Sequence, residues 1–254
     1  SITLGAIPDI PLIAPGDPLA KIIYDRAIAA GMALQSGDVL VIAQKIVSKS
    51  ENRYADLRSI TPSARAREIA AVVEKDPRFV EAVLQEASDI VRYQKNVLIV
   101  AHRIGVVMAN AGIDQSNIDH ADGAEKILLL PQDPDASAER LRTELLALSG
   151  ADVAIIINDS VGRAWRNGIT GIAIGVAGLT ALQDLRGEPD LFGRRLEVTE
   201  VATADELAAA GSLLQGQGSQ GQPVVLIRGF VPPKADHHKP ATALVRDKRI
   251  DMFR

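Results

Sequence analysis

Val153-Ala154-Ile155-Ile156-Ile157-Asn158-Asp159-Ser160-Val161-Gly162-Arg163-Ala164-Trp165-Arg166-Asn167-Gly168 changes character once, at Asn158. The first five residues are apolar and largely β-branched, which reads as a buried strand. From Asn158 onward, 158–168 reads as a loop carrying a carboxylate, a hydroxyl, a glycine turn, two arginines and the protein's only tryptophan. Asp159 beside Ser160 suits a hard divalent cation. Gly162 with Arg163 and Arg166 suits phosphate or carboxylate oxygens. Open α/β sheets commonly place ligands where strands end, so this loop is the first candidate for chemistry.

Outward from that stretch, strands and helices alternate. Val39–Ala43, entered through the Gly37-Asp38 turn, reads as a second buried strand. Residues 96–100, 127–131 and 224–227 are further strands. Asp17-Pro18 has the form of an N-cap and a first-turn proline for a helix to about Met32. Thr61-Pro62 repeats that form for a helical region to about Ser88. Asp135 or Ser137 is expected to cap a helix ending at Leu148. Thr203-Ala204-Asp205-Glu206 has capping-box form before a helix to about Leu214. This alternation predicts an α/β architecture. No internal repeat interrupts it, and only 215–222 and 232–240 are compositionally biased.

Composition narrows the function classes. With 254 residues, 47% hydrophobic, the chain can bury a large core, and at 3% aromatic that core must be aliphatic. No apolar run approaches the roughly 20 residues of a membrane helix. Ser1-Ile2-Thr3-Leu4 lacks the basic and apolar regions of a signal peptide, and a start at Ser1 is expected to follow loss of an initiator Met or a tag. The absence of cysteine excludes disulfides, Cys-based zinc sites and thiol catalysis. A net charge of −4 argues against a general nucleic-acid binder.

The chain has neither a P-loop nor a G-x-G-x-x-G after its first strand. Gly168–Gly178 is glycine-rich but apolar, and reads as close strand packing. In Gln44–Glu51, expected as a loop leaving the second strand, Lys49 can act as a point charge on phosphate with Gln44 supporting it; a solvated loop is the alternative. In 110–117, Asp114 lies among turn formers, either as part of a capped turn or, with Asp159, as one of two carboxylates for a cation such as Mg²⁺, which takes one or two. Gln215–Gly221 is either an anion-binding loop or a flexible surface loop. Arg186, Arg194 and Arg195 stand near acids, as surface ion pairs or as grips on an acidic substrate. His237-His238 reads as a solvated stretch.

Taken together, six ordered blocks resemble one family: Gly37-Asp38-Val39 through Gln44–Lys49, Ala109–Asp114, Leu129–Asp135, Asn158–Gly168, Asp184–Gly187 with Gly193-Arg194, and Leu244–Arg254. The chain resembles the coenzyme F-420-0:L-glutamate ligases along essentially its whole length. The resemblance implies a cytoplasmic, GTP-dependent amide-forming ligase that adds L-glutamate to the deazaflavin coenzyme F-420-0. It implies Mg²⁺ or Mn²⁺, with K⁺ as a further candidate cation, and neither nucleic acid nor membrane as a partner. The implied fold is an unusual two-lobed mixed α/β fold in an intertwined homodimer, with 1–254 as one ligase domain lacking a C-terminal reductase-like domain. By motif position, Asp114, Asp159, Ser160 and Gln217 match metal ligands. Pro11, Leu12, Ile13, Gln44, Lys49, Asn117 and Gln217 match nucleotide contacts. Asp159, Lys49 and Arg163 are the catalytic candidates. Val161 stands where the family often has an aromatic residue, and Ala164 where it often has proline.

The implied chemistry suits these residues. A carboxylate must be activated before an amine attacks it, and phosphoryl transfer from GTP gives an acyl phosphate with release of GDP; phosphate leaves when the amine attacks. Positioning and charge neutralisation are then the protein's task. Asp114, Asp159 and Ser160 are expected to hold the cation and Lys49 to neutralise phosphate, with Arg163 and Arg166 gripping the acidic substrate. The rival readings are a related nucleotide- and metal-dependent amide ligase acting on another acid, and a non-catalytic nucleotide-binding protein. Preference for GTP over ATP comes from the resemblance alone.

Overall fold

Val39–Ala43, Ala154–Ile157 and Val224–Ile227 lie side by side in one sheet. In the computed structural model, which describes residues 1–115, 125–232 and 238–252, the chain runs β1 (Thr3–Ala6), α1 (Leu19–Ala29), β2 (Val39–Ala43), α2 (Gln44–Ser50), β3 (Tyr54–Asp56), α3 (Ala64–Val73), α4 (Pro77–Glu86), β4 (Ala87–Gln94), β5 (Val97–His102), β6 (Val107–Ala109), β7 (Lys126–Leu128), α5 (Pro134–Ser149), β8 (Ala154–Arg163), β9 (Arg166–Ala177), β10 (Gln183–Asp184), β11 (Glu200–Val201), α6 (Thr203–Gln215) and β12 (Val224–Arg228). The main sheet has the order β1-β12-β2-β8-β9. Within it β2 and β8 are parallel and every other neighbouring pair is antiparallel. The expected α/β architecture is therefore present as a mixed sheet.

Side chains alternate across this sheet. Leu40, Ile42, Ile155 and Ile157 enter a core with Leu19 and Ile23 of α1 and Leu141 and Leu145 of α5. Val39, Val41, Ala154 and Ile156 enter a second core with Leu207 and Ala208 of α6. Coverage on both faces is why the central strands are continuously apolar rather than alternating. Each fully buried aliphatic side chain contributes about 1.5–3 kcal/mol. A third core lies apart, where α3 and α4 pack Ile69, Val73, Phe79 and Val83 against Leu98 and Val100 of β5 and Ile127 of β7. At its margin Glu86 is buried and accepts from Arg53 (3.3 Å) and Arg103 (3.1 Å), with His102 Nε2 at 3.4 Å. Burial opposes its charge, but His102, Arg103 and Arg53 outweigh burial and hold its carboxyl below the usual range.

Several helix starts differ from expectation because capping side chains are used elsewhere. Asp17 accepts the Ala14 N–H (2.8 Å), so α1 begins only after Pro18, and left-handed Gly31 lies just beyond its end. The helical region after Thr61-Pro62 is two helices: Ser63 caps α3, Glu74 breaks it at φ 55°, and Asp76-Pro77 starts α4. Asp133, not Asp135 or Ser137, caps α5. Thr203 is buried in α6, which has no side-chain cap, so the capping-box form is not used.

The main departure concerns 158–168. Asn158–Arg163 continue β8, Arg166–Gly168 begin β9, and only Ala164-Trp165 turn between them. A polar strand extension paired with its own hairpin partner has no apolar periodicity to reveal it. Within Gly168–Gly178, Gly171, Gly175 and Gly178 pack closely, as expected, whereas Gly168 is exposed with nothing against it. A Cβ at Gly171 would lie 2.7 Å from the Ala208 carbonyl oxygen, and one at Gly175 would lie 2.3 Å from that of Pro134. Strand β9 closes the sheet's edge, and two carboxylates cover its outward N–H groups. Asp205 Oδ1 accepts from Ala173 (2.9 Å) and Asp135 Oδ1 from Val176 (2.8 Å). Because Gly175 meets fixed backbone rather than a flexible side chain, Gly175→Ala should destabilise the protein by about 1–3 kcal/mol, read as an equilibrium urea unfolding midpoint.

Candidate active site

Parallel pairing sets the site's position. Ala43 lies opposite Asn158, so β2 and β8 run toward the same end of the sheet. Strand β2 passes directly into α2, with Ala43 as its N-cap, where the sequence reading expected a loop. Gln44, Val47 and Ser48 are buried on one face of that helix, and Ser48 Oγ donates to Gln44 Oε1 (3.0 Å). Local sequence hides this helix because it is short and its inner face mixes amide, hydroxyl and aliphatic groups.

On β8, alternation places Asp159 on the same face as Ile157 and Val161, toward α1 and α5. Asn158 and Ser160 leave on the α6 face. Ser160 therefore reaches the Asp159 carboxylate with its backbone, its N–H donating to Oδ1 at 2.8 Å. Asp114 arrives from a different segment. Its N–H and carbonyl exchange 2.9 Å hydrogen bonds with Leu128, which pins it to the end of β7. Arg53 links that strand to α2, since its N–H donates to the Ser48 carbonyl and its own carbonyl accepts from Leu129.

Electrostatics couples these groups. Lys45 Nζ is 2.6 Å from Asp114 Oδ2, with both side chains largely shielded from solvent (31% and 21% exposed). Burial pushes the Asp159 carboxyl up to about 6; the Asp114 charge adds to this, while the Ser160 N–H and Lys45 oppose it. Half-buried Lys49 has its pKa lowered by burial and by Lys45, against a raising contribution from Asp114. Two carboxylates and two lysines thus share one field. The sequence reading singled out Lys49; Lys45, the residue in contact with Asp114, was legible only as one lysine of a pair.

This donor set fits a hard divalent cation. Asp114 and Asp159 come from separate elements, repel one another and already attract the Lys45 ammonium. Among the described residues no group of three or more His, Cys, Asp or Glu could hold a metal. A cation here would therefore draw its remaining ligands from main chain, water and phosphate oxygens, as Mg²⁺ commonly does.

The other expected residues are distributed around this pair. The 8–16 loop leans on α2 through the Gly16 N–H and the Ser50 carbonyl; within it Ile13 is buried, while Pro11 and Leu12 are exposed. Gln217 is exposed in the loop after α6. The sequence reading missed Gln215, which anchors that loop: its Oε1 accepts from Asn158 Nδ2 (2.6 Å) and its Nε2 donates to the Val41 and Pro223 carbonyls (3.2 Å each). Asn117 lies outside the described residues. Arg163 is four residues beyond Asp159, about 13 Å at the rise of a strand, and pairs across the hairpin with Arg166. Both arginines are exposed, as is Trp165 between them. Arg186 is held by Asp184 (2.6 Å) and Arg195 by the Gly187 carbonyl (2.6 Å), so these two engage their own loop.

Comparison with known proteins shows the family of the chain. The model of the family described as F420-0:Gamma-glutamyl ligase matches residues 8–229. A coenzyme F420:L-glutamate ligase from Methanothermobacter thermautotrophicus is 44% identical over 253 residues, covering 100% of this chain and 99% of the relative. Relatives of the same name from Methanopyrus kandleri (43% identical, 95% and 93% covered) and Methanocaldococcus jannaschii (44%, 89% and 88%) are similar.

The raised pKa of Asp159 has a consequence for stability. Its ionised form is disfavoured in the fold, so the fold gains stability as pH falls from above 6 toward the unfolded value near 4, and loses it as pH rises through 6. Cation-free Asp159→Asn should accordingly be more stable than wild type above pH 6, by on the order of 2–3 kcal/mol. The difference should vanish toward pH 4, as read from urea unfolding across pH.

Proposed function

The chain belongs to the F420-0:gamma-glutamyl ligase family, and from that premise we propose that it joins L-glutamate to the deazaflavin coenzyme F420-0 in an amide bond, using GTP. The observation that carries this reading is the ion pair of Lys45 with Asp114, in one electrostatic field with Asp159 and Lys49, where α2 leaves β2 beside β8. Such a cluster suits handling of phosphate and carboxylate oxygens. A carboxylate resists attack by an amine because its leaving group is poor. In the proposed reaction the terminal phosphoryl of GTP passes to the cofactor's carboxylate oxygen and GDP leaves. The glutamate amine then bonds to the acyl carbon, phosphate departs, and the amine loses a proton.

A Mg²⁺ or Mn²⁺ ion held by Asp114 and Asp159 would neutralise phosphate charge in the transferring group. Lys45 balances the two carboxylates before any cation arrives. Lys49 presents a half-buried ammonium, stronger toward phosphate than one in open water. Gln44 and Ser48 fix the helix that carries both lysines, and the 11–13 loop and Gln217 complete the proposed nucleotide contacts. Arg163 and Arg166 are proposed to meet the anionic cofactor at the hairpin tip. The proposal extends to a cytoplasmic, two-lobed single domain working as a homodimer, with K⁺ as an accessory cation. The adjacent, exposed Leu191 (98%) and Phe192 (96%) support the dimer, since large apolar groups side by side are seldom left in water.

Phosphate release from GTP with Mn²⁺ should require both coenzyme precursor and L-glutamate, and mass spectrometry should show the cofactor gaining one or more glutamyl groups. Asp159→Ala should abolish turnover while remaining folded. Release without a glutamylated product would instead indicate another acceptor acid, and no release from folded protein would indicate a non-catalytic nucleotide binder. In sedimentation the wild type should run as a dimer, and Leu191→Asp combined with Phe192→Asp should shift it toward monomer.

A further inference from the structure

Of the described residues with positive φ that are not glycine, only Asn110 (53°) and Ala111 (54°) are adjacent, and Gly112 follows at 65°. Left-handed backbone is unfavourable for L residues, least so for asparagine, and is normally visited one residue at a time. Here three successive residues adopt it, closed by the Ile113 N–H on the Asn110 carbonyl (3.0 Å), immediately before Asp114. Backbone of this kind persists only where its surroundings over-determine it.

Three contacts do so. Ala111 is wholly buried in the core formed by α3, α4 and β5. Gly112 is pressed so closely on Leu130 that a Cβ would lie 2.9 Å from Cδ1. Lys75, from the connection between α3 and α4, donates from Nζ to Asn110 Oδ1 (3.0 Å), its ammonium 5.6 Å from the centre of the Phe79 ring. The first two are apolar packing. Lys75 places an ammonium in a half-buried position to hold one side-chain amide. A right-handed turn of the same length would send the following residue in another direction. The hand of the turn therefore governs how Asp114 enters its bridge with Leu128 and faces Lys45.

We propose that Lys75 is a positioning residue for the cation site: by holding Asn110 in the left-handed turn, it aims the Asp114 carboxylate at Asp159. This role rests on the reading of Asp114 and Asp159 as a cation pair. Groups that orient a ligand without touching the ion typically change its affinity by about 10–100-fold.

The test is Mn²⁺ binding to the whole protein without nucleotide, followed by the electron paramagnetic resonance signal of the free ion. Lys75→Met keeps the apolar stem and removes the ammonium; it should bind Mn²⁺ about tenfold more weakly. Lys75→Arg, which restores a donor, should recover part of the loss. Asn110→Gly tolerates the left-handed backbone and removes only the amide, so it decides the matter if Lys75→Met fails to fold, and it too should weaken binding. Folded variants that bind Mn²⁺ as wild type does would overturn the proposal. Wild-type binding no stronger than that of Asp159→Asn would remove the cation site itself, and this role with it.

Discussion

The parallel ladder between β2 and β8 pairs Ala43 with Asn158, so the segments leaving the two strands emerge side by side at one end of the sheet. That registration sets the two lysines of α2 near Asp159, while Asp114 reaches them from its bridge to the end of β7. Helix α2 leaves one strand with Lys45 and Lys49, and the other strand continues into Asp159. Slipping the pairing by one residue would put Asp159 on the α6 face and bury Asn158 among aliphatic residues. The ladder is held by what surrounds it. Aliphatic cores lie on both faces, and the flanking antiparallel strand β12 reinforces the same register.

That registration concentrates like charge. Asp159 is desolvated and feels the like charge of Asp114, so its ionised form is unfavourable until a cation arrives. Lys45 offsets part of the conflict and Lys49 enlarges the positive side. The site is thus less stable than its surroundings allow, which is the usual state of groups arranged for binding rather than folding. The strained turn before Asp114 belongs with it, as backbone energy stored beside a functional side chain.

The edge of the sheet shows a complementary use of carboxylates. Asp135 and Asp205 are spent on the N–H groups of β9, and the Glu86 cluster joins Arg53 and Arg103 at the margin of the third core. Covering an edge strand prevents it from pairing with foreign strands. From Gly162 to Ile169 the hairpin is exposed, with Trp165 and two arginines at its tip. The same hairpin is therefore firmly seated at its glycine-rich base and open to a partner at its end.

Much of this was written in local sequence. Continuous aliphatic runs declared β2, β8 and β12 because burial on both faces demands them. Asp17-Pro18 and Thr61-Pro62 marked α1 and the α3–α4 region, capping patterns marked α5 and α6, and the glycines of β9 announced close packing. Asp159 and Asp114 stood out as hard-oxygen donors among turn formers, and the ordered blocks pointed to the family. The remainder depended on contacts between residues distant along the chain, which no local pattern encodes. Asp135 and Thr203 looked like caps, but a distant strand and burial claimed them, while Asp17 turned back to the Ala14 N–H. Lys49 stood out in the sequence, and only the fold made Lys45 the partner of Asp114. Polar residues 158–163 read as a loop because only their hairpin partner makes them a strand. Sequence thus fixed the chemical groups and the layers, whereas the register between distant strands decided which groups meet, because charge and hydrogen bonding act through space.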